Sequence, residues 1–136
     1  MRIVVDTNAF VAAGFHPGSA SARILAAARD GVLRFVWDDD TRAETRRVLT
    51  RIPRLRWETV APLFRAEGRF DGGTEPSAFG MVEDPADRKF AALATAAGAV
   101  LVTSDDHLLA HAGTLPCPVE TPGAFVRRLE GRAGRC

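Results

Sequence analysis

The chain has little of what holds a secreted or membrane protein together. Its 136 residues include two cysteines, Cys117 and Cys136, too few and too oddly placed for a disulfide framework, which favours a reducing cytoplasm. Before Asp6 stand only Arg2 and the short apolar run Ile3 to Val5, so the pattern of a signal peptide is missing, and no apolar run approaches the roughly 20 residues of a membrane span. A soluble cytoplasmic protein without a membrane segment is expected. The formal net charge of +1 excludes a grossly basic protein, yet of 18 Lys plus Arg only Lys89 is lysine. The arginines equip a surface with planar donors suited to phosphates. There is no internal repeat and no low-complexity tract. There is no Gly-rich phosphate loop, which disfavours a nucleotide-driven kinase or GTPase, and no HExxH pattern accompanies His107 and His111.

What is present alternates between two periods. Arg2 to Val5 is a β-branched run without alternation, as in a strand covered on both faces. Asn8 to Gly14 and Ser19 to Asp30 are predicted helices, split by His16-Pro17-Gly18, and Leu33 to Trp37 is a second strand. Asp38 to Arg51 is a helix with acids first and arginines last, as the helix dipole prefers. Trp57 to Phe70 is predicted helical with a start or kink at Pro62. Asp71 to Pro76 is a loop, and Phe79 to Glu83 a short strand or no regular element. Asp84-Pro85 caps a helix running to Gly98, followed by a strand Ala99 to Thr103, a short helix Asp106 to His111, a brief strand at Val119, and a helix from Thr121-Pro122 to near Glu130. One domain over residues 1–130 with a flexible tail at 131–136 is expected. Strands alternating with helices predict a parallel sheet with helices on both faces, and such sheets bind ligands beyond the carboxyl ends of their strands.

Two acids fall at that edge, Asp6 after the first strand and Asp105 after VLVTS. Two more fall on core-facing helix stripes. Glu44 lies one turn before Val48, and Asp87 three residues before Phe90. Each also has a local explanation: Asp6 and Asp105 as helix caps, Asp87 as a third-position acid, Glu44 as a partner of the dipole. Four carboxylates at one sheet edge would repel one another unless cations held them. Oxygen ligands without a His or Cys cluster select Mg2+ or Mn2+ over zinc, and such ions suit phosphodiester hydrolysis.

The order DTN after the first strand, an inward Glu after the second, EDPADRKFAALATAAGAVLVTSDDHLL and a closing PVETPGAFVRRL together resemble the PIN-domain nucleases, most of all the bacterial toxins of toxin-antitoxin pairs. The resemblance spans nearly the whole chain, and its most specific part is the block from D-x-x-D-x-x-F to T-x-D. It implies a three-layer α/β/α sandwich with a mainly parallel sheet of about five strands, the remaining strand having no clear place in Asp71 to Glu83. It also implies a Mg2+- or Mn2+-dependent endoribonuclease leaving a 5′ phosphate and a 3′ hydroxyl, a cognate antitoxin and a homodimer. The implied catalytic and metal-holding quartet is Asp6, Glu44, Asp87 and Asp105, with Asp6 and Asp105 the principal ligands and Asn8 and Thr103 in support. Asn8 is expected to bond Asp6 or a phosphate oxygen, or to cap the helix. Arg42, Arg46 and Arg47, with Arg51, Arg54 and Arg56, would form a basic margin gripping RNA. Trp37 and Trp57 are expected to pack rather than stack on bases. A catalytically silent RNA- or antitoxin-binding module is one alternative. A magnesium-dependent phosphatase is another, although that chemistry wants Asp where Asn8 stands.

Overall fold

The N-terminal run forms β1 (Arg2–Val5), and Asp6 ends it by capping α1 (Thr7–Phe15) in a computed structural model that describes residues 1–133. Ser19 caps α2 (Ala20–Arg29) by accepting from Ala22 N at 3.1 Å. After β2 (Arg34–Phe35) comes α3 (Asp39–Arg51), where Asp38 and Thr41 close a reciprocal capping box. The chain continues through α4 (Trp57–Val60), α5 (Pro85–Ala97), β3 (Val100–Val102), α6 (Asp106–Leu109), β4 (Val119–Glu120) and α7 (Pro122–Ala133). The ends of α5 follow from its sequence. Asp84 accepts from Ala86 N, Pro85 opens the first turn, and Gly98 closes the helix at φ 65°, a left-handed conformation that favours glycine.

All four strands are parallel in the order β2-β1-β3-β4. Val4 lies beside Leu101 and Val5 beside Val102, and Asp6 N still donates to Val102 O. The residues that follow these two strands therefore emerge side by side. Because alternate side chains of β1 point to opposite faces, Ile3 and Val5 pack with Phe10, Ile24, Leu25 and Phe125, while Val4 packs with Leu101, Phe90, Leu93 and Leu108. Helices α1, α2 and α7 thus cover one face and α5 and α6 the other. The expected three-layer α/β/α architecture is observed.

Several details differ from expectation. Among the described residues four strands form instead of about five, and β2 covers only two of the five residues expected of it. What stands beyond β2 is a single parallel bridge, in which Trp37 N donates to Gly68 O at 3.0 Å and Phe70 N donates to Trp37 O at 2.7 Å. A Cβ on Gly68 would come within 2.1 Å of the Phe35 carbonyl oxygen, so only glycine permits this approach. The expected helix from Trp57 to Phe70 is α4 followed by two 3-10 turns, Ala61–Leu63 and Ala66–Gly68. Pro62 interrupts the helical ladder, and Phe64 is held instead by Phe10, Trp57 and Trp37 at centroid distances of 5.6, 5.3 and 5.9 Å. Of the two expectations for Phe79 to Glu83, that of no regular element holds: the 3-10 turn Pro76–Phe79 ends there and no strand follows. Helix α7 continues to Ala133 rather than ending near Glu130, and residues 134–136 of the expected tail lie outside the described residues.

Candidate metal-binding active site

Asp6 and Asp105 are helix caps and cleft residues at once. Asp6 Oδ1 accepts from Ala9 N at 3.1 Å, which caps α1, and its Oδ2 accepts from the Thr103 hydroxyl. Asp105 Oδ1 accepts from His107 N at 2.8 Å, which caps α6, and its Oδ2 accepts from Asn8 Nδ2 at 3.1 Å. Thr103, fully buried at the end of β3, also accepts from Asp105 N at 2.9 Å. The parallel register of β1 and β3 thus produces one connected network from Asp6 through Thr103 to Asp105 and Asn8.

The two helix acids complete the walls. Asp87, in the first turn of α5, is buried, and its Oδ2 is a buried oxygen without a hydrogen-bond partner. Such an orphan is costly and calls for a role. Glu44 is 6% exposed, and its Oε1 accepts from Lys89 Nζ at 2.9 Å and from Arg47 Nη2 at 3.2 Å. Between Thr7 and Thr45 a hydroxyl bond of 3.0 Å ties α1 to α3. The four acids, with Asn8 and Asp84, line a cleft of about 240 Å³ at the carboxyl edge of the sheet.

The electrostatics follow from this crowding. Burial pushes the Asp6 carboxyl up to about 6, against the stabilising bonds from Thr103 and Ala9, and the charge of Asp105 adds to the rise. Burial, then the charge of Asp105 and the hydrogen bond that a protonated Asp87 can make to it, then Asp84 and Asp6 push Asp87 up to about 7. Four aspartates, Asp6, Asp84, Asp87 and Asp105, therefore share a site with too little positive charge.

Among the described residues, no three His, Cys, Asp or Glu side chains stand together as a closed metal cage. The donor set nevertheless fits a hard, hydrated ion, because Mg2+ keeps several waters and takes one or two carboxylates. Asp87 Oδ2 offers an oxygen that nothing in the described chain occupies. Asp6 and Asp105 retain lone pairs beyond the bonds that orient them.

The other sequence-derived residues divide. Asn8 bonds Asp105 and not Asp6, because Asp6 is already engaged by Ala9 and Thr103. Of the three arginines singled out, only Arg47 lines the cleft. Arg42 lies over the rings of Trp57 and Trp37 at 5.1 and 5.9 Å, and Arg46 stands about 200° around the helix from Glu44 at about 100° per residue. Trp37 is buried and Trp57 half-buried, as packing residues. His107 faces the exposed Glu83 at 3.4 Å. Two participants escaped the sequence reading, Asp84 as a cleft residue and Lys89 as the partner of Glu44. For Lys89 the available signal was its singularity, the only lysine in the chain, two residues after Asp87.

Comparisons with known proteins bear on the fold and the family. No curated protein sequence matches the chain. In solved structures, the fold is similar to the crystal structure of VapBC2 from Rickettsia felis bound to a DNA fragment from their promoter, with a TM-score of 0.60 and 15% identity over 89% of this chain and 98% of that one. The description of a PIN domain matches residues 2–107, a span from β1 into α6 that contains all four cleft acids. With most of its length matched, the chain belongs to the PIN domain family.

Proposed function

We propose that the protein is a Mg2+- or Mn2+-dependent endoribonuclease, acting as the toxin of a toxin-antitoxin pair. PIN domains are generally nucleases, and the observation that supports metal-dependent hydrolysis here is the buried, unpartnered Asp87 Oδ2 beside Asp6 and Asp105. Asp6 and Asp105 would be the principal ligands, each held at a fixed angle by its capping bond and by Thr103 or Asn8. A divalent ion bound there supplies charge neutralisation at the phosphate and lowers the proton affinity of water. Asp87 would bind the ion or orient the water it carries. Arg47, half-exposed at the cleft wall, would contact an RNA phosphate. The likeness to VapBC2 supports an antitoxin partner, and a homodimer and a cytoplasmic location belong to the same proposal.

The test is cleavage of single-stranded RNA oligonucleotides with Mn2+ or Mg2+, against EDTA and against Asp6→Asn. Metal-dependent cleavage that the substitution abolishes is expected. RNA binding without cleavage under any metal would leave the silent binding module. Hydrolysis of a small phosphate ester with RNA untouched would point to a phosphatase.

A further inference from the structure

The four cleft acids keep different company. Asp6 and Asp105 accept from neutral donors, an amide N–H each and the side chains of Thr103 and Asn8, and Asp87 Oδ2 has no donor. Glu44 alone is held by cations. A single oxygen, Oε1, takes both Lys89 from α5 and Arg47 from the next turn of α3. With its charge already balanced by two cations on Oε1, Glu44 is a weaker ligand for a third than the unpaired aspartates, even though Oε2 carries no bond among the described residues. Drawing it toward a metal would leave the Lys89 ammonium, 26% exposed, without its counter-ion.

The pair makes better sense in the opposite direction. An ammonium carries three donors, and Glu44 is the only hydrogen-bond partner of Lys89 among the described residues. Lys89 does not itself line the cleft, but its remaining N–H groups stay available next to Glu44, which does. We infer that Lys89 contacts the substrate, its ammonium binding a non-bridging oxygen of the scissile phosphate, and that Glu44 is a positioning residue which aims Lys89 and is not a metal ligand. This rests on the nuclease proposal. It adds a cation on α5 to the one Arg47 supplies from α3, so that the phosphate meets a cation from each helix while the aspartates serve the metal.

Two measurements on the full chain separate these roles, with folding of every variant checked by thermal melting. In calorimetric titration with Mn2+ and no RNA, Asp87→Asn should weaken affinity by about tenfold or more, while Glu44→Gln and Lys89→Met leave it nearly unchanged. In cleavage of a mixed-sequence single-stranded RNA with saturating Mn2+, Lys89→Met should lower kcat by about 100-fold, and Lys89→Arg should recover much of the loss. Glu44→Gln weakening Mn2+ as strongly as Asp87→Asn overturns the assignment of Glu44. Wild-type turnover by Lys89→Met overturns that of Lys89. If the wild type cuts no RNA, the nuclease proposal falls by itself. The Mn2+ titration then still decides Glu44, and binding of the same RNA, weaker in Lys89→Met or equal to wild type, decides Lys89.

Discussion

Helix α3 separates two arrangements built from the same residue types. On the cleft side, Glu44 sits under Lys89 and Arg47 across from three aspartates that no cation of the described residues pairs with. On the far side, Arg42 lies on Trp57 and Trp37, Arg69 grips Asp39 through bonds of 3.2 and 2.8 Å, and Trp37 Nε1 donates to Arg65 O at 2.8 Å. The far side pairs its charges, whereas the near side buries acids of one sign, and that burial, helped by their mutual repulsion, raises the proton affinities of Asp6 and Asp87. Packing explains the first arrangement. The second is unfavourable for the metal-free fold, which is the mark of groups retained for chemistry.

Substitutions on the two sides should therefore have opposite signatures. The largest effect is expected from Asp87→Asn: RNA cleavage with Mn2+ falls by at least about 100-fold, while the melting temperature of the metal-free protein rises, since a buried self-repelling acid is gone. A fall in both would blur the division. Next comes Gly68→Ala, whose Cβ would meet the Phe35 carbonyl oxygen at 2.1 Å. Urea unfolding should show a loss of about 3 kcal/mol, with turnover per folded molecule retained.

The pH dependence of stability is a third probe. Because the folded carboxyl of Asp6 is raised from 3.8 to about 6, the folded protein holds a proton that the unfolded chain has released between those values. This contribution is fully present below the unfolded pKa and is lost as pH rises through about 6. For Asp6 it is on the order of 3 kcal/mol, and Asp87 extends the decline to about 7. Denaturant unfolding in EDTA across pH 4 to 8 measures it, and added Mn2+ should flatten the curve. Smallest is Arg42→Ala, which should cost about 1 kcal/mol through lost stacking on the indoles. It should leave the KM for RNA unchanged, whereas Arg47→Ala should raise KM and weaken its salt dependence.

The parts legible in the sequence were those written locally. The unbroken β-branched run before Asp6, the Asp84-Pro85 start and the Gly98 stop each carry their own conformational cause, and those elements appear within a residue or two of expectation. The inward faces of Glu44 and Asp87 follow from helical periodicity alone, and both residues are buried. Less legible were features decided by distant partners. Residues 57–70 have helix-forming composition on either side of Pro62, but the aromatic contacts of Phe64 with Phe10 and Trp37 favour short turns. The bond from Asn8 to Asp105 needs the adjacency of β1 and β3, and no local pattern encodes strand order. Arg42 and Arg47 look equivalent in sequence, yet they point to different sides of one helix.

The pairing of Ile3 with Val100 has a consequence for how the protein is made. Synthesis proceeds from the N-terminus, so β1 leaves the ribosome long before the strand that will lie beside it. Asp6, Glu44 and Asp87 are all translated while Thr103 and Asp105 are still to come, and closing that long loop is among the slower steps of assembly. A nascent chain therefore carries most of the acids without the site. If the proposed activity holds, competence would arrive only when β3 docks, and a truncated product that stops short of Thr103 should be inactive.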